Sequence, residues 1–178
     1  TFGGHMHHLA EFLDPLYERF HQESFLGSDP LEFVHRYRDP LDQEVVAVLA
    51  ATLAYGNVKQ IRKSVEGALH ALAQVAPEPS RAVGLLLEVR GRKRAEQAFE
   101  SFVHRFNVGS DLVELLALVS KSQEKWGSVG SHFSSHLDPE AQTFEGALTA
   151  FVGDWRAWRR NSGFARARND RDAFDYLL

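Results

Sequence analysis

The sequence predicts an all-α domain. Apolar residues recur at three- and four-residue spacing along most of its 178 residues, and almost no stretch alternates as a strand would. Asp-Pro pairs at 29–30, 39–40 and 138–139 supply helix starts: the aspartate caps free amides, and proline fits the first helical position. The expected architecture is a compact multi-helix domain, about seven to nine helices around a buried central helix at residues 44–55.

A first helix is read from Leu9, Phe12, Leu13, Leu16, Tyr17 and Phe20, which make one apolar stripe. Asp29-Pro30-Leu31-Glu32 opens a short helix through Tyr37, and Asp39-Pro40 launches the helix of Glu44 to Tyr55. Val45 to Ala51 leave that helix no polar face, so other helices should surround it. From Val58 the pattern is amphipathic, with Val58, Ile61, Val65, Ala68, Leu69 and Leu72 on one side and Lys59, Arg62, Lys63, Glu66 and His70 on the other, until Pro77 and Pro79.

Further along, Arg90, Arg92, Lys93 and Arg94 precede a helix with Ala95, Ala98, Phe99, Phe102 and Phe106 inward, closed by Asn107-Val108-Gly109. Asp111, with Glu114 three residues on, should open the next helix, which runs to Trp126-Gly127. A last helix is expected from near Asp138-Pro139 to Trp158. The expected domain organisation is then a cloning scar at 1–6, a helical domain at 7–160, and a loop at 161–178 leading to a part beyond the sequence.

Composition narrows the function classes. With no cysteine, disulfides, thiolate metal sites and thiol catalysis are excluded, and a reducing cytoplasm suits the chain. No apolar run reaches the roughly 18 residues of a membrane span, and no membrane partner is expected. Residues 1–56 carry three basic and nine acidic side chains, residues 57–106 nine and five, and residues 107–178 eight and ten. The basic middle can present a phosphate-binding face on an acidic chain; a solvated helix surface accounts for the same charges.

Most carboxylates have structural work. Capping explains Asp29, Asp39 and Asp138 better than catalysis does. His132 and His136, four apart, could face one way as metal ligands would, but the sequence offers no third ligand beside them, and no metal is assigned. No cofactor is assigned either. The segment GSVGSHFSSH lacks the lysine of a phosphate loop and reads as an interhelical connection. Trp155 and Trp158, three apart in WRAWRR, are explained by packing on one helix face more simply than by stacking on bases. FVHRY at 33–37 and FVHRF at 102–106 both read as helix ends carrying cations near the C-terminal dipole.

The stretch LAYGNVKQI is the leading candidate for a site. Gly56 permits a positive φ, and the chain restarts at once as a helix whose first amides lie beside Lys59 and Arg62. Free amides and the dipole favour an anion there. A plain helix corner explains the pattern equally well.

The string DPLEFVHRYRDPLDQEVVAVLAATLAYGNVKQI, together with FVHRFNVGSDLVELL, resembles a family of bacterial and archaeal proteins known mainly as a conserved domain of unknown function. The resemblance covers about Leu9 to Trp158. Longer members look similar to helix-hairpin-helix DNA glycosylases, in which a comparable apolar helix ends in a loop near the lesion. The resemblance implies contact with DNA or another nucleic acid through Tyr55, Gly56, Asn57, Lys59 and Arg62, with His104, Arg105 and Asn107 as second candidates. For a complete protein it implies base extrusion and N-glycosidic cleavage. The glycine-rich hairpin and the Pro-Leu-Asp-Thr-His-like segment of such enzymes have no counterpart in the sequence, so no catalytic residue is nominated. The alternatives are a non-enzymatic helical interaction module and a hydrolase of a small nucleoside or glycoside.

Overall fold

The computed structural model describes residues 3–161, with the side chains of residues 3–8, 23, 28, 160 and 161 left aside. It is helical nearly throughout: α1 (Gly3–Phe20), α2 (Leu31–Val34), α3 (Pro40–Thr52), α4 (Val58–Ala73), α5 (Pro79–Gly84), α6 (Val89–Ala98), α7 (Gly109–Trp126), α8 (Val129–Ser134) and α9 (Glu145–Asn161), with 3₁₀ turns at Glu23–Ser28 and Leu85–Leu87. β1 (Val103–His104) and β2 (Asn107–Val108) form the one sheet among the described residues, an antiparallel pair. The all-α expectation holds.

The Asp-Pro reading also holds where it is most local. Asp39 accepts amides from Leu41 (2.9 Å) and Asp42 (3.2 Å), with Pro40 in the first helical position. Asp29 accepts the Leu31 amide at 2.7 Å. Two carboxylates of α3 then cap other helices. Asp42, itself buried, accepts the Ser80 amide at 2.8 Å in the first turn of α5, and Glu44 accepts the Gly130 amide at 2.8 Å in the first turn of α8. The orientation of two helices therefore depends on a third.

The core is a single cluster that α3 and α7 share. α3 buries Val45, Val46, Leu49 and Ala50, followed by Leu53, but leaves Ala51 exposed. α7 buries every residue from Leu112 to Ser120 and packs against α3, α5, α6, α8 and α9. Its one buried carboxylate, Glu114, is met by Arg159 of α9 at 2.6 Å.

Several boundaries differ from expectation. α6 ends at Ala98, and FVHRF is not a helix end: Val103 and His104 are β1, and Arg105 and Phe106 make the turn into β2. Phe106, expected inward, is 68% exposed. α7 starts at Gly109, two residues before Asp111, whose carboxylate instead reaches back to the Val108 amide at 2.8 Å. GSVGSHFSSH contains a true helix, α8, because Ser128 Oγ accepts the Ser131 amide at 2.8 Å. Asp138 forms a local turn by accepting the Glu140 amide at 3.0 Å, and α9 waits until Glu145. α4 ends at Ala73, and Pro79 opens α5 rather than closing α4. α1 begins at Gly3, inside the stretch set aside as a scar, and leaves its apolar stripe exposed from Leu9 to Phe20. Of the expected terminal loop, residues 162–178 lie outside the described residues.

Candidate functional site

The corner between α3 and α4 is built by local chemistry. α3 closes with Leu53, and Gly56 takes φ 110°. Asn57 then caps α4, its side chain accepting the Lys59 amide at 3.0 Å. A β-carbon on Gly56 would lie 2.2 Å from Arg105 Nη2, so the glycine serves both the turn and the close approach of Arg105. Gly56→Ala is expected to destabilise the fold by about 1–3 kcal/mol, the range for a forced unfavourable φ, measurable by urea unfolding.

The structure brings the second group of predicted residues to this corner. The Tyr55 hydroxyl donates to Asn107 Oδ1 and to the His104 carbonyl (3.1 Å), which fixes the hairpin against the end of α3. The His104 ring meets Tyr55 edge-on at 4.7 Å and its Nδ1 lies 2.7 Å from Ser64 Oγ of α4. His104 and Asn107 are almost fully buried. His104 Nε2 has no hydrogen-bond partner of good geometry, and burial pushes the imidazole pKa down, so the ring is neutral near neutral pH. Burial likewise raises the Tyr55 phenol pKa against the opposing pull of Arg105. His104, Asn107 and Tyr55 are thus clamps that hold the hairpin: His104 and Asn107 are shut off from solvent, and Tyr55 is half-buried.

What the hairpin presents is its turn. Arg105 and Phe106 lie between the paired residues His104 and Asn107, and Arg105 takes φ 54°, the one non-glycine positive φ among the described residues. Its side chain is exposed, with the guanidinium 5.9 Å from the Tyr55 ring centroid. Phe106 lies parallel to Tyr55, with centroids 6.2 Å apart and planes at 2°. Phe106 was not singled out from the sequence, because a helical period assigned it inward; only recognition of a two-residue turn would have turned it outward.

The cations of the corner divide. Lys59 and Lys63 are exposed. Arg62 is engaged elsewhere: it meets Glu32 of α2 at 2.7 Å, within a set that also joins Arg36 to Glu32 (3.2 Å) and to Glu66 (2.9 Å). This set fastens α2 to α4, so Arg62 is a packing group first. Beside the hairpin a groove of about 340 Å³ runs along α4, lined by Gln60, Lys63, Ser64, His70 and Gln74 opposite Ser101. At Gln74 and Ala98 it adjoins a second groove lined by Arg94 and Gln97. The polar, cationic wall continues from α4 to α6.

A second cluster was only half visible in the sequence. Asp154 of α9 supplies the third group that His132 and His136 lacked, with Oδ2 at 3.2 Å from His132 Nε2 and 3.1 Å from His136 Nε2. Burial lowers the His132 pKa, which the Asp154 carboxylate opposes. The WRAWRR segment packs as read: Trp155 is buried, and Trp158 stacks near His132 at 5.2 Å.

Fold and site together define a compact helical protein with a corner-and-hairpin face bearing lysine, arginine and an exposed aromatic ring. A family model described as a protein of unknown function, DUF2400, matches residues 29–171, and the chain belongs to that family. No curated protein and no solved structure matches the chain.

Proposed function

We propose that the corner and hairpin bind DNA that offers an unpaired base, with Lys59, Lys63 and Arg105 on phosphates and Phe106, backed by Tyr55, as the stacking surface. The observation that supports this most is Arg105 itself. A turn position with φ 54° is one where glycine would be unstrained, yet it carries the longest cationic side chain, which lies exposed across Gly56 and Tyr55 beside an exposed phenylalanine. Exposed arginine and aromatic groups on a cationic groove are the parts of a single-strand contact surface, because stacking is available to any base and phosphates are available at every step. Base extrusion from a duplex would deliver an unpaired base to such a surface. No residue is assigned to bond cleavage.

Arg105→Gly separates binding from architecture. Fluorescence anisotropy with a labelled single-stranded oligonucleotide is expected to show weakening of about five- to tenfold, while stability in urea stays equal or rises because the strained φ is relieved. Arg62→Ala, by contrast, should leave binding nearly unchanged. A stability loss in Arg105→Gly with unaltered binding would make the arginine structural and remove the proposal.

A second reading, a helical interaction module, draws on α1: Leu9, Phe12, Leu13, Leu16, Tyr17 and Phe20 are all exposed on one helix. It predicts association through α1 and no dependence on Arg105.

A further inference from the structure

We propose that His132, His136 and Asp154 form a binding site for a divalent transition-metal ion of zinc-like chemistry, with the remaining coordination position open to solvent. One ligand atom from each residue lies within 4.8 Å of the others. A tetrahedral ion with bonds near 2.0–2.1 Å needs its ligand atoms about 3.4 Å apart. The two imidazole Nε2 atoms already stand at 3.2 and 3.1 Å from the same carboxylate oxygen and within 4.8 Å of each other, so an ion enters once the partly exposed His136 ring closes on His132.

The preorganisation of His132 argues for a site over a chance meeting of polar groups. Its ring is fully buried and stacked near parallel to Trp126 (4.0 Å, 19°) and Trp158 (5.2 Å, 23°), with Phe151 at 4.7 Å. Its Nδ1 is 3.0 Å from Ser122 Oγ, and that oxygen also accepts the Trp155 indole N–H at 2.9 Å. When an ion displaces the proton that Nε2 shares with Asp154, Nδ1 carries the ring's one N–H and the serine oxygen accepts it; this is the outer support that orients ligating histidines. Stacking occupies the ring faces, whereas coordination uses the ring edge, so the aromatic packing does not compete with the ion.

The other two ligands reach the surface. His136 is 24% exposed and Asp154 40%, which leaves an approach for the ion and a place for water or an exogenous group. Lys125 lies over the Trp126 ring at 4.1 Å and opposes a cation at this end of the fold; it is exposed, where solvent screens it. Two imidazoles and one carboxylate favour zinc, iron or cobalt over magnesium or calcium, which prefer all-oxygen shells.

The test is calorimetric titration of Zn²⁺ into the full chain, repeated with Co²⁺ followed by visible absorption. His5, His7 and His8 can chelate by themselves, so all measurements use the His5→Ala, His7→Ala, His8→Ala background. The expected result is one saturable site per chain and tetrahedral Co²⁺ absorption. His136→Gln and Asp154→Asn, both at partly exposed positions and checked for an unchanged circular dichroism spectrum, should each weaken binding at least tenfold. Absence of saturable binding to the folded background protein, or affinity unchanged in both variants, overturns the proposal.

Discussion

Gly109→Ala is expected to destabilise the protein by about 3 kcal/mol or more, among the largest effects of any single methyl addition in this chain. Gly109 is the first residue of α7, directly after β2, and its amide donates to the Phe102 carbonyl at 3.0 Å. A β-carbon there would lie 1.9 Å from the Phe99 carbonyl oxygen and 2.9 Å from its β-carbon. The obstructing atom is backbone at the end of α6, where Phe99 is fully buried, so no rotamer change relieves the clash. Either α6 or the start of α7 must move, and the hairpin is strung between them. Gly27, with no atom within 4 Å of the same added carbon, is the control, and alanine there should shift the urea midpoint little. Equal midpoints for the two variants would mean that the α6–α7 approach is looser than described.

Trp155→Ala should remove about 3–5 kcal/mol, the range for deleting a large buried aromatic side chain. Trp155 is 3% exposed, packs on Phe151 at 4.7 Å, and donates its indole N–H to Ser122 in the middle of the α7–α9 contact. Truncation creates a cavity and removes the bond that orders the serine beside His132. Trp155→Phe keeps most of the apolar contact but loses the donor, so its expected deficit is about 1–2 kcal/mol. The ordering of native, phenylalanine and alanine proteins in urea unfolding checks both terms. A Trp155→Ala protein as stable as the native one would show that α9 contributes little to the core.

Much of this molecule follows from short-range signals. Asp39 and Asn57 act within three residues of themselves, and the apolar spacing of α4 needs only its own sixteen residues, so their elements can be read directly. The hairpin cannot. Two-residue strands carry no period, and FVHRF copies a string that at FVHRY does run out of a helix; only the position of Gly109 against Phe99 and the pinning of His104 by Ser64, forty residues away, decide otherwise. Asp138-Pro139 misleads for a related reason: an aspartate satisfies amides in a turn as readily as at a helix start. In the candidate site, the pairing of Tyr55 with Asn107 joined two segments that sequence reasoning had nominated separately. The engagement of Arg62 by Glu32 and the arrival of Asp154 beside His132 are tertiary facts with no local trace.

The central claim is that exposed cations at the corner and hairpin meet DNA phosphates. Its most direct measurement is the salt dependence of single-stranded DNA binding, compared between the native protein and a Lys59→Ala, Lys63→Ala, Arg105→Ala triple variant. Three phosphate contacts predict a slope of log K against log salt of about −2, falling close to zero in the variant. No binding at low salt, or the same slope in both proteins, would contradict it.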